Sequence, residues 1–144
     1  YNKKIDHNTI LKIKKICKRN NKKFYLANNI HLSVKYKLDG AYIPSFNKSL
    51  HIKKYCLEKK FLVIGSAHNL KEIKIKEKQG IKLIFLSPLF ETKNYIKKLG
   101  IIKFNLLSLK TKCKIIALGG INKNNLKQLK MTNAYGFSGI KYFN

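Results

Sequence analysis

The sequence predicts an α/β domain with a parallel sheet, built either as a barrel or as a doubly wound sheet. Strand-like and helix-like patterns alternate from one end of the 144 residues to the other. Each strand-and-helix unit takes up about twenty to twenty-five residues, and the connections between the elements are short. Parallel strands with right-handed helical crossovers accommodate such a pattern. We therefore expect six units in a single domain that covers residues 1–144.

The predicted strands are short apolar runs that end at turn-forming residues. KFYLA is followed by the pair Asn28 and Asn29, and the second strand is stopped by Pro44. KIIAL has four apolar residues in a row, which predicts a strand buried on both faces. In chain order, strands are predicted at residues 23–27, 41–43, 61–65, 82–86, 114–118 and 135–140.

The predicted helices show apolar residues at helical spacing and capping residues at their ends. Asp6 or Asn8 can cap the first helix. Asn69 can cap the fourth, where Glu72 in the first turn and lysines in the last suit the helix dipole, and Gly80 ends it. In chain order, helices are predicted at residues 7–19, 31–37, 49–59, 70–78, 101–112 and 122–130.

The formal net charge of +26 first suggests nucleic acid or anionic lipid as a partner. However, Arg19 is the only arginine, and arginine is the residue favoured for phosphate forks and base edges. No nucleic-acid-binding motif accompanies the charge, and an AT-rich genome encodes the same excess of lysine and asparagine. No apolar run reaches the length that spans a membrane. We therefore expect no membrane partner and no nucleic-acid partner.

The three cysteines are far apart in the sequence and form no C-x-x-C pair. Cys17, Cys56 and Cys113 accompany no secretory segment. This usage is typical of reduced, structural thiols and predicts a cytoplasmic protein.

Small and polar residues dominate the carboxyl ends of the predicted strands, where both candidate architectures place their chemistry. The pair Gly119 and Gly120 follows the fifth strand, and glycines allow backbone N–H groups to approach a ligand closely. In phosphate-binding barrels, the loops after the last two strands commonly hold the anion. A tight strand-to-helix turn is the alternative explanation for the pair. The long polar loop at residues 89–98 is a second functional candidate.

Taken in order, these strand ends resemble the thiamine-phosphate synthase and thiazole tautomerase family. LDGAYI is similar to the family's ADGVHLG segment, IGSAHN to its G-x-S-x-H strand end, FLSPLFETK to its G-P-x-F-x-T loop, and ALGGIN to its A-I-G-G-I segment. The resemblance implies a (β/α)8 TIM-type barrel in which about six βα units are present and the first two strands lie before Tyr1. Six strands leave two open edges, so either the protein is longer or another copy closes the barrel in a homo-oligomer.

The resemblance implies a transferase that acts on small phosphorylated substrates. Family synthases join hydroxymethylpyrimidine diphosphate to thiazole phosphate and release thiamine phosphate and pyrophosphate. Such a reaction needs positioning and stabilisation of the departing pyrophosphate rather than a nucleophilic side chain. Two alternatives stay open: a homologue that binds thiazole phosphate or thiamine phosphate without catalysis, and a basic protein that binds nucleic acid on a barrel scaffold.

The resemblance also carries site roles onto this chain. Ser66 and Lys93 are the expected catalytic residues, at the pyrimidine or pyrophosphate end of the substrate. His68 can donate to a pyrophosphate oxygen, or it can be a structural hydrogen-bonding residue. The expected substrate- and phosphate-binding residues are Asn28, His68, Thr92, Gly119, Gly120, Ile140 and Lys141.

The chain departs from the family pattern at the metal site. The family holds Mg²⁺ with two aspartates, and the matching positions here are Asn29 and Asn47. An amide oxygen can bind Mg²⁺, but the replacement removes both negative charges from the site. In the T-x-T-K loop, the pyrophosphate lysine is either Lys93, in a shifted position, or lost. Pro88 stands where tautomerases carry a catalytic histidine, which argues against tautomerase activity.

Overall fold

The computed structural model describes residues 6–58, 60–92 and 97–139. Six parallel strands form one sheet in chain order, each paired with the next. A doubly wound sheet reverses its strand order at a switch point, whereas this sheet does not. The order is that of a barrel wall, so the predicted barrel topology is confirmed. The strands are β1 (Tyr25–Ala27), β2 (Gly40–Ile43), β3 (Leu62–Ala67), β4 (Leu83–Leu86), β5 (Lys114–Leu118) and β6 (Gly136–Ser138).

Helical segments lie at all six predicted places, but two of them are 3₁₀ helices. The α-helices are α1 (His7–Arg19), α2 (Ile30–Lys35), α3 (Leu70–Lys78) and α4 (Gly100–Leu109), and the 3₁₀ helices are Leu50–Leu57 and Leu126–Met131. At residues 49–59 and 122–130 the prediction of a helical segment was right, but the prediction of an α-helix was wrong.

Side-chain hydrogen bonds explain one difference, and a missing cap accompanies the other. The Asn122 side chain accepts from the N–H groups of Asn124 and Asn125, and the Asn125 side chain accepts from the N–H of Asn122. Such bonds compete with the helical ladder and delay the helix. Ser49, which precedes the first 3₁₀ helix, makes no side-chain cap, and short uncapped segments commonly adopt the tighter 3₁₀ form.

Two capping residues expected from the sequence cap their helices in the structure. The Asp6 carboxylate accepts from the N–H groups of Asn8 and Thr9, so Asp6 rather than Asn8 caps α1. The Asn69 side chain accepts from the N–H of Glu72 at the start of α3. Gly80 follows α3 with φ +80°, a conformation that glycine adopts without strain.

The sheet buries one face against the helices and leaves the other partly open. Ile43, Ile84 and Ile115 lie on the buried face with Phe104 of α4. On the opposite, concave face, Ile116 and Leu118 of β5 are only half-buried. The prediction that β5 is buried on both faces was therefore wrong for this side. The reason is that no further strand closes the sheet over it within the described residues.

In the part of the chain that the structure describes, no helix is both long and apolar enough to cross a membrane. Cys17, Cys56 and Cys113 are free thiols, as expected. The Sγ atoms of Cys56 and Cys113 contact the backbone carbonyls of Gln79 and Ile81, respectively. Burial raises the pKa of both thiols, which is typical of structural cysteines.

Candidate functional site

The carboxyl edge of the parallel sheet brings most of the expected site residues to one rim. Asn28, Asn29, Asn47, Ser66, His68, Thr92, Gly119 and Gly120 lie on or just beyond the carboxyl ends of their strands. Lys93, Ile140 and Lys141 lie outside the described residues, so their roles stay predictions. Within barrels this rim carries the chemistry, whereas the opposite end serves stability.

The glycine pair after β5 packs against the loop that follows β4. Gly119 and Gly120 have φ values of +96° and +70°. A Cβ atom on Gly119 would lie 2.8 Å from Pro88, and one on Gly120 would lie 2.4 Å from the Glu91 carbonyl oxygen. The N–H of Phe90 donates to the Gly119 carbonyl at 3.0 Å. Both glycines are thus required by backbone conformation and by close approach.

The amide groups of the same pair lie in the turn that follows β5. No hydrogen bond joins the N–H groups of Gly119 and Gly120 to a carbonyl among the described residues. The Gly120 carbonyl accepts from the Asn125 side chain at 2.8 Å, which fixes the turn. Two successive N–H groups in a fixed turn of positive φ are suited to bind an oxyanion. The turn is therefore both structural and suited to phosphate.

Asn28 and Asn47 join the loops after β1 and β2. Asn28 has φ +53°, and its N–H donates to the Tyr42 carbonyl at 2.7 Å. Its amide oxygen accepts from the Asn47 side chain, also at 2.7 Å. The contact orders two rim loops at the position where the resemblance places a substrate-contacting asparagine.

The residues at the expected metal positions do not fit a Mg²⁺ site. The Asn29 amide oxygen caps α2 by accepting from the N–H of Leu32 at 3.0 Å, and the Asn47 amide oxygen accepts from the N–H of Ser49 at 3.0 Å. Both oxygens are neutral and already bonded, whereas Mg²⁺ is usually held by carboxylates. No group of three His, Cys, Asp or Glu side chains among the described residues could hold a metal ion.

His68 is held by Glu72, one helical turn further along the chain. The Glu72 carboxylate accepts from the His68 N–H at 2.7 Å and contacts the His68 Nδ1 atom at 2.9 Å. Burial raises the pKa of Glu72, but the hydrogen bonds from His68 and Asn69 outweigh it, so the pKa lies below its ordinary value. When the Nδ1 proton is donated to Glu72, Nε2 of the neutral imidazole is a hydrogen-bond acceptor. Glu72 was expected only as a helix-dipole residue.

Ser66 lies on the concave face of the sheet and is almost fully buried. Strand register places Ser66 beside Phe85, and Phe85 beside Ile116. Phe85 and Tyr42 meet edge to face, with ring centroids 6.2 Å apart. The two rings were not expected at the site, although strict alternation along β2 and β4 places them on the face that carries Ser66.

Lys76 of α3 is fully buried and holds the loop after β2. Its Nζ donates to the carbonyls of Pro44 and Asn47 at 2.7 and 2.8 Å, and to the Gln79 side chain at 3.1 Å. Gln79 in turn donates to the carbonyls of Asn47 and Ser49. Burial lowers the pKa of Lys76 to about 8. Neither residue was expected at the site, since the only signal in the sequence is the helical spacing of Lys76 from the buried Ile73.

A cavity of about 460 Å³ opens at the rim between the loops that follow β1 and β2. Its polar lining includes Asn28, Asn29, His31, Asn47, His51 and Lys54. A larger cavity of about 810 Å³ lies near Ile81 and Cys113, at the amino ends of β4 and β5. The smaller cavity is thus the one on the face where barrels carry their chemistry.

Comparisons with known proteins agree with this arrangement. The family model described as thiamine monophosphate synthase matches residues 3–143. A putative thiamine-phosphate synthase 2 of Aquifex aeolicus is 35% identical over 109 residues, which cover 73% of this chain and 57% of that protein. The thiamine-phosphate synthase of Coprothermobacter proteolyticus is 29% identical over 132 residues, which cover 90% of this chain and 63% of that protein. The chain thus spans somewhat over half the length of these relatives.

The solved structure of a thiamine phosphate pyrophosphorylase from Pyrococcus furiosus is similar in fold. It has a TM-score of 0.74 and 18% sequence identity, and the match covers 96% of this chain and 68% of that one. At this identity the likeness concerns the fold alone, and it agrees with the sequential strand order of the sheet.

Proposed function

Because the chain belongs to the thiamine monophosphate synthase family, we propose that the protein containing it is a thiamine-phosphate synthase. It would couple hydroxymethylpyrimidine diphosphate with thiazole phosphate to give thiamine phosphate and pyrophosphate. The proposal concerns the complete protein, since this chain spans only part of its relatives.

The observation that carries the proposal is the glycine pair after β5. The N–H groups of Gly119 and Gly120, which donate to no carbonyl among the described residues, would donate to two oxygens of the thiazole phosphate. Loops after the last strands of a barrel are a common phosphate site. Ile140 and Lys141 would approach the same phosphate, where the lysine would act as a point charge.

The reaction would be a substitution at the pyrimidine methylene carbon. The bond from this carbon to the pyrophosphate oxygen breaks, the pyrophosphate leaves with the electron pair, and the thiazole nitrogen forms the new C–N bond. Ser66 would contact the pyrimidine or pyrophosphate end, while Thr92 and Lys93 would donate to pyrophosphate oxygens. His68 would donate from Nε2 in its doubly protonated form, because its Nδ1 faces Glu72. These groups lower the barrier by positioning the substrates and by stabilising negative charge, so no nucleophilic side chain is needed.

A coupled assay tests the proposal. The complete protein is mixed with both substrates, and thiamine phosphate and pyrophosphate are measured by chromatography. We expect both products in equal amounts. If a folded protein gives no product at high concentration, the synthase assignment is wrong.

A second candidate function is a binding protein without catalysis. The observation that favours it is the pair of neutral amides, Asn29 and Asn47, at the positions where the resemblance places two carboxylates. In this case thiamine phosphate would raise the melting temperature of the complete protein, whereas the two substrates would give no product.

A further inference from the structure

We propose that the 460 Å³ rim cavity binds the diphosphate group of the pyrimidine substrate directly, with Lys54, His31 and His51 in the place of a metal ion. This inference rests on the proposed function, because it names how that same site would hold its anionic substrate. It differs from the family pattern in both the residues and the absence of a metal requirement.

The charge of the cavity lining favours an anion. Lys54, His31 and His51 all line the cavity, and no aspartate or glutamate is among its lining residues in the described part of the chain. Lysine carries a positive charge at neutral pH, and imidazole offers an N–H donor in either protonation state. A bare divalent cation would find only neutral oxygens there, whereas a diphosphate would find donors.

Tyr55 orients two of these donors. Its hydroxyl lies 3.3 Å from the His31 Nδ1 atom, and the two rings meet edge to face at 5.9 Å. When the hydroxyl donates to Nδ1, the imidazole proton lies on Nε2 and can be donated to a ligand. The Lys54 Nζ lies 5.0 Å from the centre of the Tyr55 ring. This cation–π contact holds the ammonium group near the cavity without using its hydrogen-bonding capacity.

The size and floor of the cavity also suit an anion held at its mouth, where His31, His51 and Lys54 are exposed. Its volume lies within the usual range for ligand pockets, about 300 to 1,000 Å³. Ile30, Ile43 and Ile52 line it and are buried. This apolar floor keeps water from one side of the anion and so strengthens its attraction to a cation, while the other side stays open to solvent. The amides of Asn28 and Asn47 connect the cavity to the substrate rim.

The charges explain how the site could work without Mg²⁺. Two aspartates and one Mg²⁺ together carry no net charge, so such a site attracts diphosphate through the exposed side of the ion. Two asparagines and Lys54 leave one positive charge facing the same anion. The Asn29 and Asn47 amide oxygens accept from backbone N–H groups. They therefore do not occupy Lys54, His31 or His51 as hydrogen-bond acceptors in place of the ligand.

Isothermal titration of the complete protein with inorganic pyrophosphate, in buffer that contains EDTA, tests the inference. We expect saturable binding, and we expect Lys54→Met to weaken it by about tenfold. His31→Ala with His51→Ala should weaken it further. The matched control is Lys53→Met, because Lys53 is an exposed lysine on the same 3₁₀ helix that does not line the cavity.

A gain-of-metal variant makes the test sharper. Asp is as good a helix cap as Asn, so Asn29→Asp should preserve α2 while adding a carboxylate to the cavity. We expect it to bind pyrophosphate more weakly in EDTA and to recover binding when Mg²⁺ is added. The inference is overturned if the unaltered protein binds pyrophosphate only with Mg²⁺, or if Lys53→Met and Lys54→Met weaken binding equally. Because binding is measured without turnover, this result is independent of whether the protein is a synthase.

Discussion

The Asn47 side chain donates a hydrogen bond of 2.7 Å to the amide oxygen of Asn28, and this single contact joins the loops after β1 and β2. Both residues line the rim cavity. Asn28 also has a left-handed backbone, with φ +53°, which few residues other than glycine and asparagine adopt without cost. The order of this part of the rim therefore depends on a side-chain bond and on a backbone preference.

These two contributions can be separated by substitution. Asn28→Gly removes the hydrogen bond, but glycine adopts the positive φ without strain. We expect a loss of about 1 kcal/mol in the free energy of unfolding. Asn28→Ala removes the bond and adds backbone strain, so its loss should be about 1 kcal/mol larger. Urea denaturation measures both. Equal losses would show that the backbone conformation contributes nothing.

The close packing at Gly120 predicts a large effect of adding a methyl group. Gly120→Ala meets the Glu91 carbonyl at 2.4 Å and also has a positive φ, so we expect a loss of about 3 kcal/mol. Gly100→Ala is the matched control, because Gly100 has a similar φ of +69° but no atom within 4 Å of the added Cβ. It should lose about 1 kcal/mol. If both variants unfold at the same urea concentration, the packing against residues 88–91 is not what requires the glycine.

The buried Lys76 predicts that the free energy of unfolding rises with pH in the alkaline range. Its pKa is about 8 in the folded protein, below the ordinary value of 10.5. Between these values the unfolded chain binds a proton that the folded protein has released, so the stability contributed by this site rises with pH. Relative to Lys76→Met, the unaltered protein should gain about 2 to 3 kcal/mol between about pH 7 and about pH 10.

Urea denaturation of both proteins at the two pH values measures this difference, in which the titration of the other lysines cancels. Lys53→Met is again the control, because it removes one exposed lysine from the same protein. If the difference in free energy of unfolding between the unaltered protein and Lys76→Met is the same at both pH values, the pKa of Lys76 is not lowered in the folded protein.

Glu72 predicts a pH dependence of the same sign in the acid range. Its pKa is lowered below 4.5 in the folded protein, so its contribution is present at neutral pH and is lost as the pH falls through the folded value. We expect Glu72→Gln to lose about 1 kcal/mol at neutral pH and nothing at low pH, where both side chains are neutral. Glu91→Gln removes a more exposed ion pair with Lys98 and should lose less. A loss for Glu72→Gln that persists at low pH would contradict this role.

The sequence was sufficient for the order of the elements and for the rim positions, because both depend on local patterns. Apolar runs, Asn69 as a cap and Gly80 as a helix end all act within a few residues. The sequence did not indicate the 3₁₀ form at residues 122–130, where the side chains of Asn122 and Asn125 compete with the helix. The choice between barrel and doubly wound sheet needed strand order, which no local pattern contains.

The contacts missed within the site are those between distant segments. Lys76 and Gln79 reach the carbonyls of the loop after β2, about thirty residues away in sequence, and nothing in a lysine-rich chain distinguishes this lysine from the others. The hydrogen bonds to the Asn29 and Asn47 amide oxygens could not be predicted from the sequence either. A resemblance to two aspartates identified the positions, but it did not show that backbone N–H groups already use the amide oxygens.

The measurement that tests the central proposal most directly is steady-state turnover of both substrates by the complete protein and by its Gly119→Ala variant. We expect thiamine phosphate from the unaltered protein. The added methyl group displaces the turn that presents the N–H groups, so the KM for thiazole phosphate should rise by about tenfold or more, while the KM for the pyrimidine diphosphate changes little. No product from the unaltered protein, or an equal rise in both KM values, would contradict the account.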